Sequence, residues 1–154
     1  MHNNEILARL SDALSMDDAR MLAIFALGGE DLTPAELHPM LRNPNRRDAV
    51  NCKSDRLLRF LDGFIVEQRG PKEVPEGQDA PPAPAPVRMS NNVVLKKLRI
   101  AMNLKADDVV AILAAGGTEM TKRQLSALSR KHGNKHYRVC SDQVLESFLT
   151  GIAR

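Results

Sequence analysis

Aromatic residues are scarce in this chain of 154 residues, with four Phe, one Tyr and no Trp. That scarcity argues against an aromatic-rich sandwich and against a surface that stacks bases. Cysteine is as sparse. Two thiols cannot build a disulfide framework, so a reduced, cytoplasmic setting is expected. No apolar run approaches the roughly 18 residues that a membrane span requires. The opening MHNNEILARLSD lacks the basic-then-apolar order of a secretion signal. No alternating apolar/polar run is long enough for a strand. What is present is 43% apolar and 27% charged, enough to build a helical core.

The chain is written twice. Residues 1–66 match residues 89–154 without a gap at 19 of 66 positions. The shared residues include Asn3/Asn91, Asn4/Asn92, Leu7/Leu95, Gly28/Gly116, Gly29/Gly117 and Thr33/Thr121. Cys52/Cys140, Phe60/Phe148 and Gly63/Gly151 follow. An internal repeat of this kind lets every local assignment be tested twice. The expected organisation is a helical repeat over 1–69, a proline-rich linker over 70–88 and a second repeat over 89–154. The linker holds six prolines and reads as an extended, semi-rigid spacer.

Each copy reads as four helices. The first runs over about 4–15, with Ile6, Leu7, Leu10 and Leu14 on one face, and its twin over about 92–103. Asn3 or Asn4 and Asn91 or Asn92 are candidate N-caps. One Asn suffices for a cap, and local sequence offers no reason for two. The second helix, about 18–27, is apolar on most sides and ends at a Gly-Gly pair suited to a left-handed C-cap. Thr33-Pro34-Ala35-Glu36 and Thr121-Lys122-Arg123-Gln124 both spell a capping box at the start of the third. After about a dozen polar residues, Leu57, Phe60, Leu61 and Phe64 stripe the fourth, as do Leu145, Phe148, Leu149 and Ile152. The fold class is all-α: two homologous four-helix repeats related by pseudo-twofold symmetry. Because a domain of about 60 residues buries only about 60% of its unfolded surface, the repeats are expected to pack on each other.

Charge is uneven along the chain. Residues 1–70 hold 9 Lys/Arg against 11 Asp/Glu, whereas residues 89–154 hold 11 against 5. The loops between the third and fourth helices concentrate the cations: Arg42, Arg46 and Arg47 in the first copy, and Arg130, Lys131, Lys135 and Arg138 in the second. Long loops in compact helical units are often functional, and two cationic loops related by a twofold could contact phosphates on two segments of a nucleic acid. Helix two, the Gly-Gly turn and helix three resemble a helix-turn-helix in outline. The third helix of the first copy, PAELHPML, has almost no donor to read a base edge.

Nothing in the sequence points to an enzyme. It has no phosphate-cradling Gly loop, no Ser/His/Asp order and no repeated carboxylate pair. Cys52 and Cys140 precede the fourth helices, where a thiolate can be stabilised, yet no histidine recurs beside them. Small buried residues under a loop is the simpler reading. His132, His136 and Cys140 are spaced by four, but Gly133 and Asn134 interrupt the helix that would cluster them, so no metal or other cofactor is expected.

N-N-x-[IV]-L near each start, I-[FL]-A-[LA]-G-G, and C-x-[SD] before L-x-x-F-L-x-G resemble the YehS-like family of small bacterial proteins of unknown function. The resemblance covers both copies. It implies a tandem duplicated helical domain in a bacterial cytoplasm, with no activity, cofactor or catalytic residue to carry over. The expected function is a non-catalytic protein-interaction module with an unidentified macromolecular partner and no membrane. The alternative is a nucleic-acid binder using Arg42, Arg46, Arg47, Arg130, Lys131, Lys135 and Arg138.

Overall fold

The computed structural model describes residues 2–42, 45, 47–69, 90–130 and 135–153. Among these the chain is all-helical and contains no strand. The first copy provides α1 (Asn3–Ala13), α2 (Asp18–Leu27), α3 (Pro34–Met40) and α4 (Ser54–Arg69). The second provides α5 (Asn91–Met102), α6 (Ala106–Ala115), α7 (Lys122–Leu128) and α8 (Asp142–Ile152). The expected linker over 70–88 lies outside the described residues.

Both threonine capping boxes form as the sequence spells them. Thr33 Oγ1 accepts from the N–H of Glu36, and Thr121 Oγ1 from that of Gln124, while each acidic or amide side chain accepts from the threonine N–H. The Asn residues do something else. The caps of α1 and α5 are His2 and Ser90, whose side chains accept from Asn4 and Val93 N–H groups. Asn4 is buried instead: its Oδ1 accepts from the N–H of Cys52 at 2.7 Å, and its Nδ2 donates to the carbonyl of Val50 at 2.9 Å. Asn3 Nδ2 donates to the carbonyl of Cys52 at 2.9 Å. Asn92 and Asn91 repeat the arrangement on Cys140 and Arg138, at 2.7 Å, 2.7 Å and 3.0 Å. The doubled Asn therefore clamps both backbone groups of the cysteine onto the first helix. Loop carbonyls and N–H groups that would be buried without partners are satisfied there.

The two glycines of each Gly-Gly pair have different tasks. Gly28 and Gly116 are right-handed at the ends of α2 and α6. They are glycine because of close approach: a Cβ on Gly28 would stand 1.9 Å from the carbonyl oxygen of Arg59, and one on Gly116 1.8 Å from that of Ser147. The left-handed positions are Gly29 (φ 91°) and Gly117 (φ 101°). Across the crossing, Gly63 and Gly151 face the carbonyl oxygens of Ile24 and Ile112. Backbone therefore touches backbone where α2 crosses α4 and where α6 crosses α8. In the first copy Arg20 also grips Glu67 with two nitrogens, at 2.8 and 3.2 Å, and this bond holds the carboxyl below its ordinary range.

The copies meet through their first and fourth helices. α4 packs along α5, and α1 meets α8, the pairing that exchange of the copies demands. Arg9 donates to Thr150 Oγ1 at 2.7 Å, and Lys97 pairs with Asp62. These contacts are twofold mates, since position 9 corresponds to 97 and position 62 to 150. One apolar core runs through both halves, from Leu7, Phe25 and Phe60 to Leu95, Leu113 and Phe148. Burial of this shared surface gives each small unit more core than it could build alone.

Candidate functional site

The third helix of each copy is only seven residues long and hands over to an irregular loop that returns to the fourth. In both copies one ladder-like bond ties that loop back to the helix: Val50 N–H to the carbonyl of Pro39, and Arg138 N–H to that of Ala127. The loops are thus anchored at the Asn clamp and at the third helix. Among the described loop residues, Arg47, Asp48, Val50, Lys135, His136, Arg138 and Val139 are exposed.

In the second copy they enclose a groove of about 680 Å³ between α7, the loop and the start of α8. Its floor is apolar, from Met120, Ala127, Leu128, Val139 and Val144. Val139 is 76% exposed, the most open of the described large apolar side chains. The rim carries Arg123, Arg130, Lys135 and Arg138. Among the described residues none of these four forms an ion pair, and no acidic side chain lines the groove. Exposed cations without counter-charges around an apolar floor can attract and orient an anionic, partly apolar ligand.

Of the residues singled out from sequence, the structure brings Arg130, Lys135 and Arg138 together here. Arg46 and Lys131 lie outside the described residues. Arg42 is in a different setting: its Nη1 donates to Asp48 at 2.8 Å, and it lines a cleft of about 270 Å³ shared with Glu5, Arg9 and Glu146. Arg47 is exposed on the same loop. The two cationic loops are therefore not equivalent surfaces. Sequence reasoning missed Arg123 and the apolar floor, which come from α7, the start of α8 and the residues just before each. The signal lay in the alignment of the copies: Ala35, Glu36 and Asp48 correspond to Arg123, Gln124 and His136.

Cys52 and Cys140 are buried and free. Burial pushes both thiols up to about 11, so they stay protonated and unreactive at neutral pH. Among the described residues no group of three or more His, Cys, Asp or Glu is placed to hold a metal ion; His132 lies outside them. No described helix is long and apolar enough to cross a membrane.

Two copies of one helical unit, each braced internally by an Asn clamp and only the second carrying the basic groove described above, define a tandem-repeat helical protein. The family described as protein of unknown function (DUF1456) matches residues 3–70 and again 91–154, and the chain belongs to that family. It is 35% identical over 153 residues, 99% of this chain and 95% of the relative, to the uncharacterized protein YehS of Escherichia coli (strain K12). No solved structure matches.

Proposed function

We propose that this chain is a non-catalytic protein-interaction module in the cytoplasm, with the second copy as its binding half. The partner segment it suits is acidic side chains flanking an apolar anchor. One observation carries this reading: the groove of about 680 Å³ combines four cations lacking ion pairs with an apolar floor. The floor rewards removal of apolar surface from water, and the rim selects negative charge and speeds encounter. The paired Arg42 and the acids in its cleft give the first copy no comparable attraction.

The convergence of Arg130, Lys135 and Arg138 also supports a second reading, nucleic-acid binding. A phosphate backbone would use the rim and leave the floor unfilled, so the protein reading is preferred. Fluorescence anisotropy separates them. The probes are a labelled peptide with leucines between Asp and Glu residues, the same peptide with Lys in place of the acids, and mixed-sequence duplex DNA and single-stranded RNA. The protein reading expects saturable binding of the acidic peptide alone, lost in Val139→Asp. Nucleic-acid binding that falls steeply with salt, without peptide binding, would replace it.

A further inference from the structure

A second cationic cleft, separate from the groove, opens where the copies join. It measures about 290 Å³, small beside the roughly 300–1,000 Å³ of pockets for drug-sized ligands. Arg69 reaches it from the end of α4, Lys96 and Arg99 from α5, and Ser129 from the cap of α7. No acidic side chain is part of its described lining, and among the described residues Arg69, Lys96 and Arg99 form no ion pair. Their hydrogen bonds are long and go to neutral groups: Arg99 Nη1 to Ser129 Oγ at 3.2 Å, and Arg69 Nη1 to the carbonyl of Ile100 at 3.4 Å. Among the described residues the buried Arg99 Nε has no hydrogen-bond partner. Such an orphaned donor on a charged group asks for an explanation.

The helix dipole supplies only part of one. Arg99 lies in the last turn of α5 and Arg69 in the last turn of α4, where a cation is favoured, and Arg69 also donates to the Ile100 carbonyl at the end of α5, but Lys96 gains from neither end. Nor is the cluster inherited from the repeat. The first-copy counterparts of Lys96, Arg99 and Ser129 are Ala8, Ser11 and Leu41. Arg69 of the first copy, Lys96, Arg99 and the Ser129 hydroxyl of the second, and an unsatisfied N–H have thus collected around one small cleft.

We propose that this cleft binds a small oxyanion of the phosphate class. A tetrahedral anion offers several acceptor oxygens, matched to a guanidinium fork, an ammonium and a hydroxyl. Because Arg99 Nε is closed to solvent, the guanidinium turns on binding so that Nε–H and one Nη–H both face the anion. That movement gives the orphaned donor its partner. The anion also supplies a counter-charge that the described residues do not.

The test is isothermal titration of the full chain at constant ionic strength with inorganic phosphate and, in a second arm, glycerol phosphate. Saturable binding of either, with a Kd of about 1 mM or tighter, is expected, and the tighter arm distinguishes free phosphate from a phosphomonoester. Lys96→Met, an exposed position that the fold does not need, should weaken binding about tenfold. Arg99→Lys keeps the charge but loses the fork, and should weaken it at least as much. Lys53→Met, exposed in the first copy and outside both clefts, should leave it unchanged. No saturable binding in either arm overturns the proposal, as does binding indifferent to both Lys96→Met and Arg99→Lys.

Discussion

Arg42 and Arg130 occupy the same place in the two copies and have opposite surroundings. Arg42 donates to Asp48 and shares its cleft with Glu5 and Glu146, whereas Arg130 stands among other cations over an apolar floor. The change is made by few residues. Glu36 and Asp48 become Gln124 and His136, and Ala35 becomes Arg123. Deeper in, the ion pair of Glu30 with Arg59 is replaced at the twofold-mate positions by a hydroxyl pair, Thr118 with Ser147 at 2.6 Å. Contacts that hold each unit together are kept, and surface charge is free to diverge because exposed substitutions cost little stability. One copy can therefore become a binding surface while the other remains scaffold.

If the scaffold is common, damage to it should be equal in the two halves. Gly63→Ala and Gly151→Ala should each lower stability by about 3 kcal/mol, measured by chemical denaturation, since the new Cβ would stand 1.9 and 2.0 Å from a carbonyl oxygen. Asn4→Ala and Asn92→Ala come next, at about 2 kcal/mol each, because each strands the N–H of a buried cysteine and at least one loop carbonyl. A large effect in one copy and none in the other would break the equivalence.

If the surfaces differ, binding of the acidic peptide should respond to one copy only. Arg130→Glu with Arg138→Glu should weaken it about 30-fold, roughly 2 kcal/mol, while Arg42→Glu with Arg47→Glu should change it less than about twofold. Writing the first copy's acids into the second, as Gln124→Glu with His136→Asp, should weaken it about fivefold by the same anisotropy measurement.

The thiols give the most symmetrical effect. In the unfolded chain each ionises near the ordinary 9.0, and in the folded chain near 11. Between those values the unfolded state holds fewer protons, so stability falls as pH rises from 9 to 11. Both thiols should also resist a thiol-reactive dye at pH 8 until denaturant is added.

Local chemistry was legible in the sequence. The capping boxes at Thr33 and Thr121 and the apolar stripes of α4 and α8 depend on neighbours three or four positions away, and both appear in the structure. Bonds spanning most of a repeat were not legible. The Asn clamp joins Asn4 to Cys52 and Asn92 to Cys140, and only the unexplained doubling of Asn hinted at it. The same holds for Gly28 and Gly116, which cap α2 and α6 as expected and are also crossing points. The groove was half legible. Its cations stood out as a charge run, but whether a cation is paired depends on tertiary neighbours, and the floor comes from helices read only as core.

The division of labour between the copies is tested most directly by an amide NMR titration of the intact chain with the acidic, leucine-bearing peptide. The account predicts saturable shifts concentrated in residues 120–130 and 135–144, with the matching stretch of the first copy, residues 32–42 and 47–56, unmoved. Equal shifts in both stretches, or none in either, would contradict it.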